Sequence, residues 1–160
     1  MRTFLDTNIL LRTSQPASPQ YADAVASTGV LLRAGRTLCI SSQSVYEFLA
    51  VATKPQAENG LGMTHAETDA HLTTLLVSIE VFYDSPAIAA ELRRLVVAHK
   101  VTGKKIHDAR MVATMNVQKI PEILTFNGKD FTRYPTITVL SPSTVALGQL
   151  PASPPSPPSP

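Results

Sequence analysis

The sequence predicts an α/β protein, a three-layer α/β/α sandwich around a mostly parallel central sheet. Two observations carry that expectation. Short strand-like runs alternate along the chain with longer stretches of helical spacing, a pattern that folds into a sheet covered by helices on both faces. The composition agrees: 44% of the 160 residues are hydrophobic and 16% charged, which suits one packed core in a chain too short for two ordinary domains.

Residues 2–6 are the first expected strand, ending on Asp6, and Thr7-Asn8 is a turn or helix-cap pair leading into Ile9-Leu10-Leu11. Residues 21–34 read as a helix with apolar Ala22, Val25, Gly29 and Leu32 on one face, stopped by Gly35. A second strand is expected over 36–40. Ser42 is placed to cap a helix over 43–53, ended by Lys54-Pro55. Its Val45, Tyr46, Phe48, Leu49, Ala50, Val51 and Ala52 are apolar nearly all round, so the helix is expected to be buried. After a polar loop with Gly60 and Gly62, Thr64 caps a helix running to residue 76, and 78–83 resemble a strand.

Ser85-Pro86 then opens an amphipathic helix, proline being favoured at the first helical position, with Ile88, Ala89, Leu92, Leu95, Val96 and His99 at helical spacing. A further helix is expected over 106–116, a strand over 121–126 around Ile123-Leu124, and a last strand over 136–140. The folded domain is expected to span 1–141, with 142–160 a C-terminal extension. Residues 151–160 contain only proline, serine and one alanine, so they are expected to be disordered and extended, in part as polyproline II.

The lone Cys39 has no partner for a disulfide or a zinc site, which fits a reducing cytosol and a cytoplasmic protein. The first residues lack the apolar stretch of a signal peptide and no later run is long enough to span a bilayer, so no membrane association is expected. The net charge is only +2, but 14 Lys and Arg face 12 Asp and Glu. With Asp6, Glu47, Asp108 and Asp130 set aside, eight acids remain and the excess rises to six, which matters for a polyanionic partner. Arg93, Arg94, Lys100, Lys104, Lys105 and Arg110 fall in one stretch whose bland reading is a solvated helix face.

Those four acids are the candidate site. In open α/β sheets ligands bind beyond the carboxyl ends of the strands, where Asp6 ends the first strand and residues 127–130 follow a later one. Asp108 lies in the first turn of its helix, where the helix dipole favours negative charge. Glu47 sits inside an apolar helix with Gln43, Ser44, Ala50 and Val51 as neighbours and no cation three or four residues away, so it needs a partner from elsewhere, such as a metal ion. The bland alternatives are capping or helix-dipole stabilisation for Asp6 and Asp108, capping of the next turn for Asp130, and a distant Arg or Lys for Glu47. Taken together the acids favour a hard divalent ion, Mg²⁺ with Mn²⁺ as a substitute, because carboxylates without cysteine or clustered histidine do not suit zinc. Such a site activates water and neutralises charge in phosphodiester hydrolysis. The four histidines are scattered and none is assigned to metal; His99 reads as a core residue, and His107 as helix-start packing.

Phe4-Leu5-Asp6-Thr7-Asn8-Ile9-Leu10, Tyr46-Glu47-Phe48, Ile106-His107-Asp108-Ala109 and Leu124-Thr125-Phe126-Asn127-Gly128-Lys129-Asp130-Phe131 together resemble a PIN domain over residues 2–141, and most of all the VapC-type toxins of bacterial toxin–antitoxin pairs. That resemblance implies a Mg²⁺-dependent endoribonuclease acting on structured RNA such as transfer or ribosomal RNA, silenced by a VapB-like antitoxin and assembled as a homodimer. Carried over by position, Asp6, Glu47, Asp108 and Asp130 match the catalytic, metal-binding acids, and Thr7, Asn8, Thr125 and Asn127 are their supporting polar residues. Asn127 stands where some relatives carry an acid, so Asn127 and Asp130 compete for the fourth position. Lys104, Lys105 and Arg110, flanking Asp108, are the candidate RNA contacts by charge and proximity. The alternative is a non-catalytic PIN-fold RNA-binding or interaction module. A phosphatase of the haloacid-dehalogenase type also starts from an aspartate ending the first strand, but needs a second two residues on, where Asn8 stands.

Overall fold

Five strands, β1 (Arg2–Leu5), β2 (Thr37–Ser41), β3 (Ile79–Phe82), β4 (Glu122–Leu124) and β5 (Thr138–Leu140), pair only in parallel, in the spatial order β3-β2-β1-β4-β5. They belong to a computed structural model that describes residues 1–151. The expected tail at 151–160 therefore lies, but for Pro151, outside the described residues. Successive strand side chains point to opposite faces, so each central strand supplies two cores. Phe4, Cys39 and Ile123 are buried in register on one face, and Leu5, Leu38, Ile40, Leu124 and Leu140 belong to the core on the other.

The first face is covered by α5 (Pro86–Ala98) and α6 (Lys105–Val117), through Ile88, Leu95, Met111, Val112 and Met115. The second is covered by α1 (Thr7–Thr13), α2 (Tyr21–Arg33), α3 (Ser42–Thr53) and α4 (His65–Leu76), through Ile9, Leu10, Leu31, Phe48, Ala52 and Leu72. The result is the three-layer α/β/α sandwich, with a sheet that is wholly rather than mostly parallel. Beyond residue 141 the chain continues into a short helix, α7 (Pro142–Ala146), whose Val145 is buried in the same core as Leu31. Among the described residues no helix is long and apolar enough to cross a membrane.

Local signals behave as their chemistry requires at several helix ends. Thr64 and Glu67 form a reciprocal capping box at α4, Ser85 caps α5 ahead of Pro86, and Gly35 ends α2 with φ +73°. Three expectations are corrected. The buried face of α2 is Ala24, Ser27 and Leu31, while Val25 and Leu32 remain 42% and 43% exposed; Ser27 is hidden by donating its hydroxyl to the Ala24 carbonyl. Helix α3 is buried on one face only, with Tyr46 and Leu49 exposed. Ser42 is the first residue of α3 rather than its cap, and its hydroxyl donates to Asp84 at 3.1 Å.

Candidate active site

The order β3-β2-β1-β4-β5 runs outward from β1 to β3 and then returns to the other side of β1, so the topological switch lies between β1 and β4. In open α/β sheets ligands bind beyond the carboxyl ends of the strands at such a point, and there Asp6 follows β1 and Thr125 follows β4. The Asp6 amide extends the ladder by one bond to the Leu124 carbonyl, 3.1 Å, and the chain then turns directly into α1. There Asp6 is the N-cap: Oδ1 accepts from the Asn8 amide at 3.3 Å, so the capping alternative is realised. Its other oxygen accepts from Asn8 Nδ2 at 2.7 Å and Thr125 Oγ1 at 2.6 Å. The Thr125 hydroxyl also accepts from Asn8 Nδ2 and from the Asn127 amide. Thr125 thus ties β4 to the end of β1 and holds the buried Asp6 carboxylate in one orientation.

Glu47 lies on the second turn of α3. It is not the orphan its sequence neighbours suggest, and no Arg or Lys pairs with it among the described residues. Thr7 Oγ1 donates to it at 2.7 Å, Gln43 Nε2 at 2.8 Å, and His107 Nδ1 lies 3.5 Å away; the side chain keeps 27% of its surface exposed. The carboxylates of Asp108, in the first turn of α6, and Asp130, ending the 3₁₀ turn Gly128–Asp130, receive no hydrogen bond from any described residue. Neither serves as a helix cap.

Asp108 feels the charges of the other three acids. Burial pushes the Asp6 carboxyl up, opposed by the hydrogen bonds from Thr125 and the Asn8 backbone, with the Glu47 charge adding to the rise. Asp108 is pushed up to about 6, first by burial and then by the charges of Asp130, Asp6 and Glu47, with His107 opposing. Among the described residues, however, no three of these groups stand close enough to hold one ion as they are arranged.

The other sequence candidates divide. Thr7, Asn8 and Thr125 hold the acids directly. Asn127 joins only through its amide, while the charge felt most by Asp108 is that of Asp130. Lys104 and Lys105 are exposed at the start of α6. Arg110 is instead turned into the fold: it pairs with Asp84 and donates to Gln43 Oε1 at 2.9 Å and to the Tyr46 hydroxyl at 3.0 Å. His99 packs edge-on against Tyr134. Gln43 and Asp84 were not candidates; a neutral amide on a helix carries no signal until Arg110, 67 residues on, is seen beside it.

The PIN domain sequence profile matches residues 3–137. The chain belongs to the PIN domain family. This PIN domain is similar in structure to a chain of VapBC2 from Rickettsia felis, bound to a promoter DNA fragment, at 19% identity and TM-score 0.64, covering 88% of this chain and 98% of that one. It is likewise similar to VapBC-1 from nontypeable Haemophilus influenzae, at 16% identity and TM-score 0.65, covering 89% and 99%. A third similar structure is Mycobacterium tuberculosis VapC20, a sarcin-ricin loop cleaving toxin, at 16% identity and TM-score 0.60, covering 80% and 92%. At such identities the likeness is one of fold. No curated protein matches the sequence.

Proposed function

We propose that this PIN domain is a metal-dependent endoribonuclease and the toxin of a VapBC-like pair, with Asp6, Glu47, Asp108 and Asp130 as its acids. The observation that carries the reading is Asp108, a partly buried carboxylate in the first turn of α6 with no hydrogen-bond donor, which feels the charges of Asp130, Asp6 and Glu47. Such crowding raises its proton affinity and equally its affinity for a divalent cation. The donor set suits Mg²⁺ or Mn²⁺, being all carboxylate, and Asp108 and Asp130 have no hydrogen bonds to lose in turning toward an ion. When bound, the ion supplies a water activated for attack and neutralises charge that develops on the phosphodiester.

The chain's own residues prepare that site. Thr125 and Asn8 fix Asp6, Thr7 and Gln43 fix Glu47, and the α6 start presents Asp108. Lys104 and Lys105, one turn before Asp108, are exposed and suit RNA phosphates; Arg110, committed to Asp84 and Gln43, suits them less. A VapB-like antitoxin, a homodimer, a structured RNA target and a cytoplasmic setting complete the proposal. The similar structures named for VapBC complexes support the toxin assignment.

The test is cleavage of a mixed structured RNA with Mg²⁺, with EDTA, and by Asp6→Asn. Cutting that needs metal and is lost in the variant is expected. That no three of the acids among the described residues are arranged to hold one ion favours, as a second reading, the non-catalytic module, whose signature is RNA binding without cutting.

A further inference from the structure

We infer that Arg110 and Gln43 are positioning residues: a clamp from α6 to α3 that holds Glu47 in register with the start of the helix bearing Asp108. Gln43 is fully buried, and both of its N–H donors and its oxygen are engaged. Its Nε2 donates to Glu47 Oε1 at 2.8 Å and to the His107 carbonyl at 3.1 Å, and its Oε1 accepts from Arg110 Nη1 at 2.9 Å. An amide side chain has two faces that can exchange by a half-turn, and its neighbours decide which is adopted.

Here they decide it without ambiguity. The Glu47 carboxylate and the His107 carbonyl only accept, so they require the NH₂ end; a guanidinium only donates, so it requires the oxygen. Arg110 is the group that pins the oxygen, and it is in turn pinned by Asp84 and by Tyr46, whose ring it overlies at 5.8 Å. Ser42 fastens the second Asp84 oxygen to the first turn of α3. The clamp joins three elements, α3, α6 and the β3–α5 connection, around one amide.

A purely stabilising role fits less well. Asp84 is 58% exposed, and ion pairs to solvent-exposed carboxylates contribute little to stability. What Arg110 controls is the sense of Gln43, and through it the direction of Glu47. That effect on cleavage rests on the nuclease reading; the geometry itself does not.

The experiment compares Arg110→Met, Arg110→Lys, Gln43→Met and the double Gln43→Met/Arg110→Met variant. For Arg110→Met, kcat is expected to fall about 10- to 100-fold, as when a group orienting a ligand is removed, with KM nearly unchanged. Arg110→Lys should recover part of that activity, since an ammonium still meets Gln43 Oε1. The double variant should be no slower than Gln43→Met alone, because Arg110 acts through Gln43. A rise in KM, as for a phosphate-binding group, or a full additional drop in the double variant, would overturn the inference. If the wild-type protein does not cleave RNA, the nuclease reading fails, and the clamp is read from the Gln43 side-chain amide by NMR. Arg110→Met must then shift those protons and speed their exchange; unchanged resonances sink it. Should Arg110→Met not fold, Arg110→Lys and Gln43→Met carry the same comparison.

Discussion

Asp108 concentrates the conflict between folding and chemistry. It is partly buried, lacks a donor, and meets the charges of Asp130, Asp6 and Glu47, so its proton is held up to about 6 in the folded protein against 3.8 ordinarily. Because the fold binds this proton more tightly than the unfolded chain does, the contribution to stability is present in full below the ordinary value of 3.8. It is lost as the pH rises through about 6. Without metal, Asp108→Asn should therefore stabilise the protein at about pH 7, by on the order of 1 kcal/mol once solvent screening is allowed for. The same variant should be indifferent near about pH 4. Thermal melts at the two pH values check this, and equal melting temperatures for both proteins at the higher pH would show that the carboxylate is not strained. Millimolar Mn²⁺ should reverse the order by stabilising only the wild type. As candidates, Asp6, Asp108 and Asp130 were visible in the sequence as charges at the ends of a strand, a helix and a turn, and Glu47 as a charge inside an apolar helix. Gln43 was not, since its role is set by Arg110 and His107, 67 and 64 residues away.

At the scale of elements, strands and helices were legible wherever local chemistry decides them: Thr64 with Glu67, Ser85 with Pro86, Gly35 after α2. Orientation was harder. The stripe Ala22, Val25, Gly29, Leu32 is the apolar line of α2, yet the helix buries Ala24, Ser27 and Leu31. A serine whose hydroxyl is satisfied by its own helix packs like a small apolar residue, so polarity misreports the buried face. For α3 the error was the reverse, an apolar helix that leaves Tyr46 and Leu49 outside. The α2 orientation has a measurable consequence. Leu31→Ala should cost about 2–5 kcal/mol, as for a fully buried leucine in a close-packed core. Val25→Lys should stay within about 0.5 kcal/mol, as for a surface site. Urea denaturation of the two variants distinguishes the faces; the opposite ranking would restore the apolar stripe as the buried one.

Across the whole molecule, 14 Lys and Arg face 12 Asp and Glu, four of which are the proposed site acids. On the proposed nuclease function, a polyanion would be drawn by the remaining excess of cations and repelled by those acids unless a divalent ion were bound, which would divide RNA binding from cleavage. Binding by Asp6→Asn, which is expected not to cut, should weaken linearly with the logarithm of salt concentration, because each phosphate neutralised releases counterions. Lys104 and Lys105 are exposed beside Asp108. Replacing each with alanine in the Asp6→Asn background should reduce the salt slope by about one for every phosphate that the missing ammonium would have neutralised, and weaken binding evenly across RNA sequences. Arg110→Met in that background should leave the slope unchanged, since its guanidinium is already engaged by Asp84 and Gln43. A slope that falls for Arg110→Met but not for the lysines would move the RNA path from the exposed start of α6 to the α3–α6 seam.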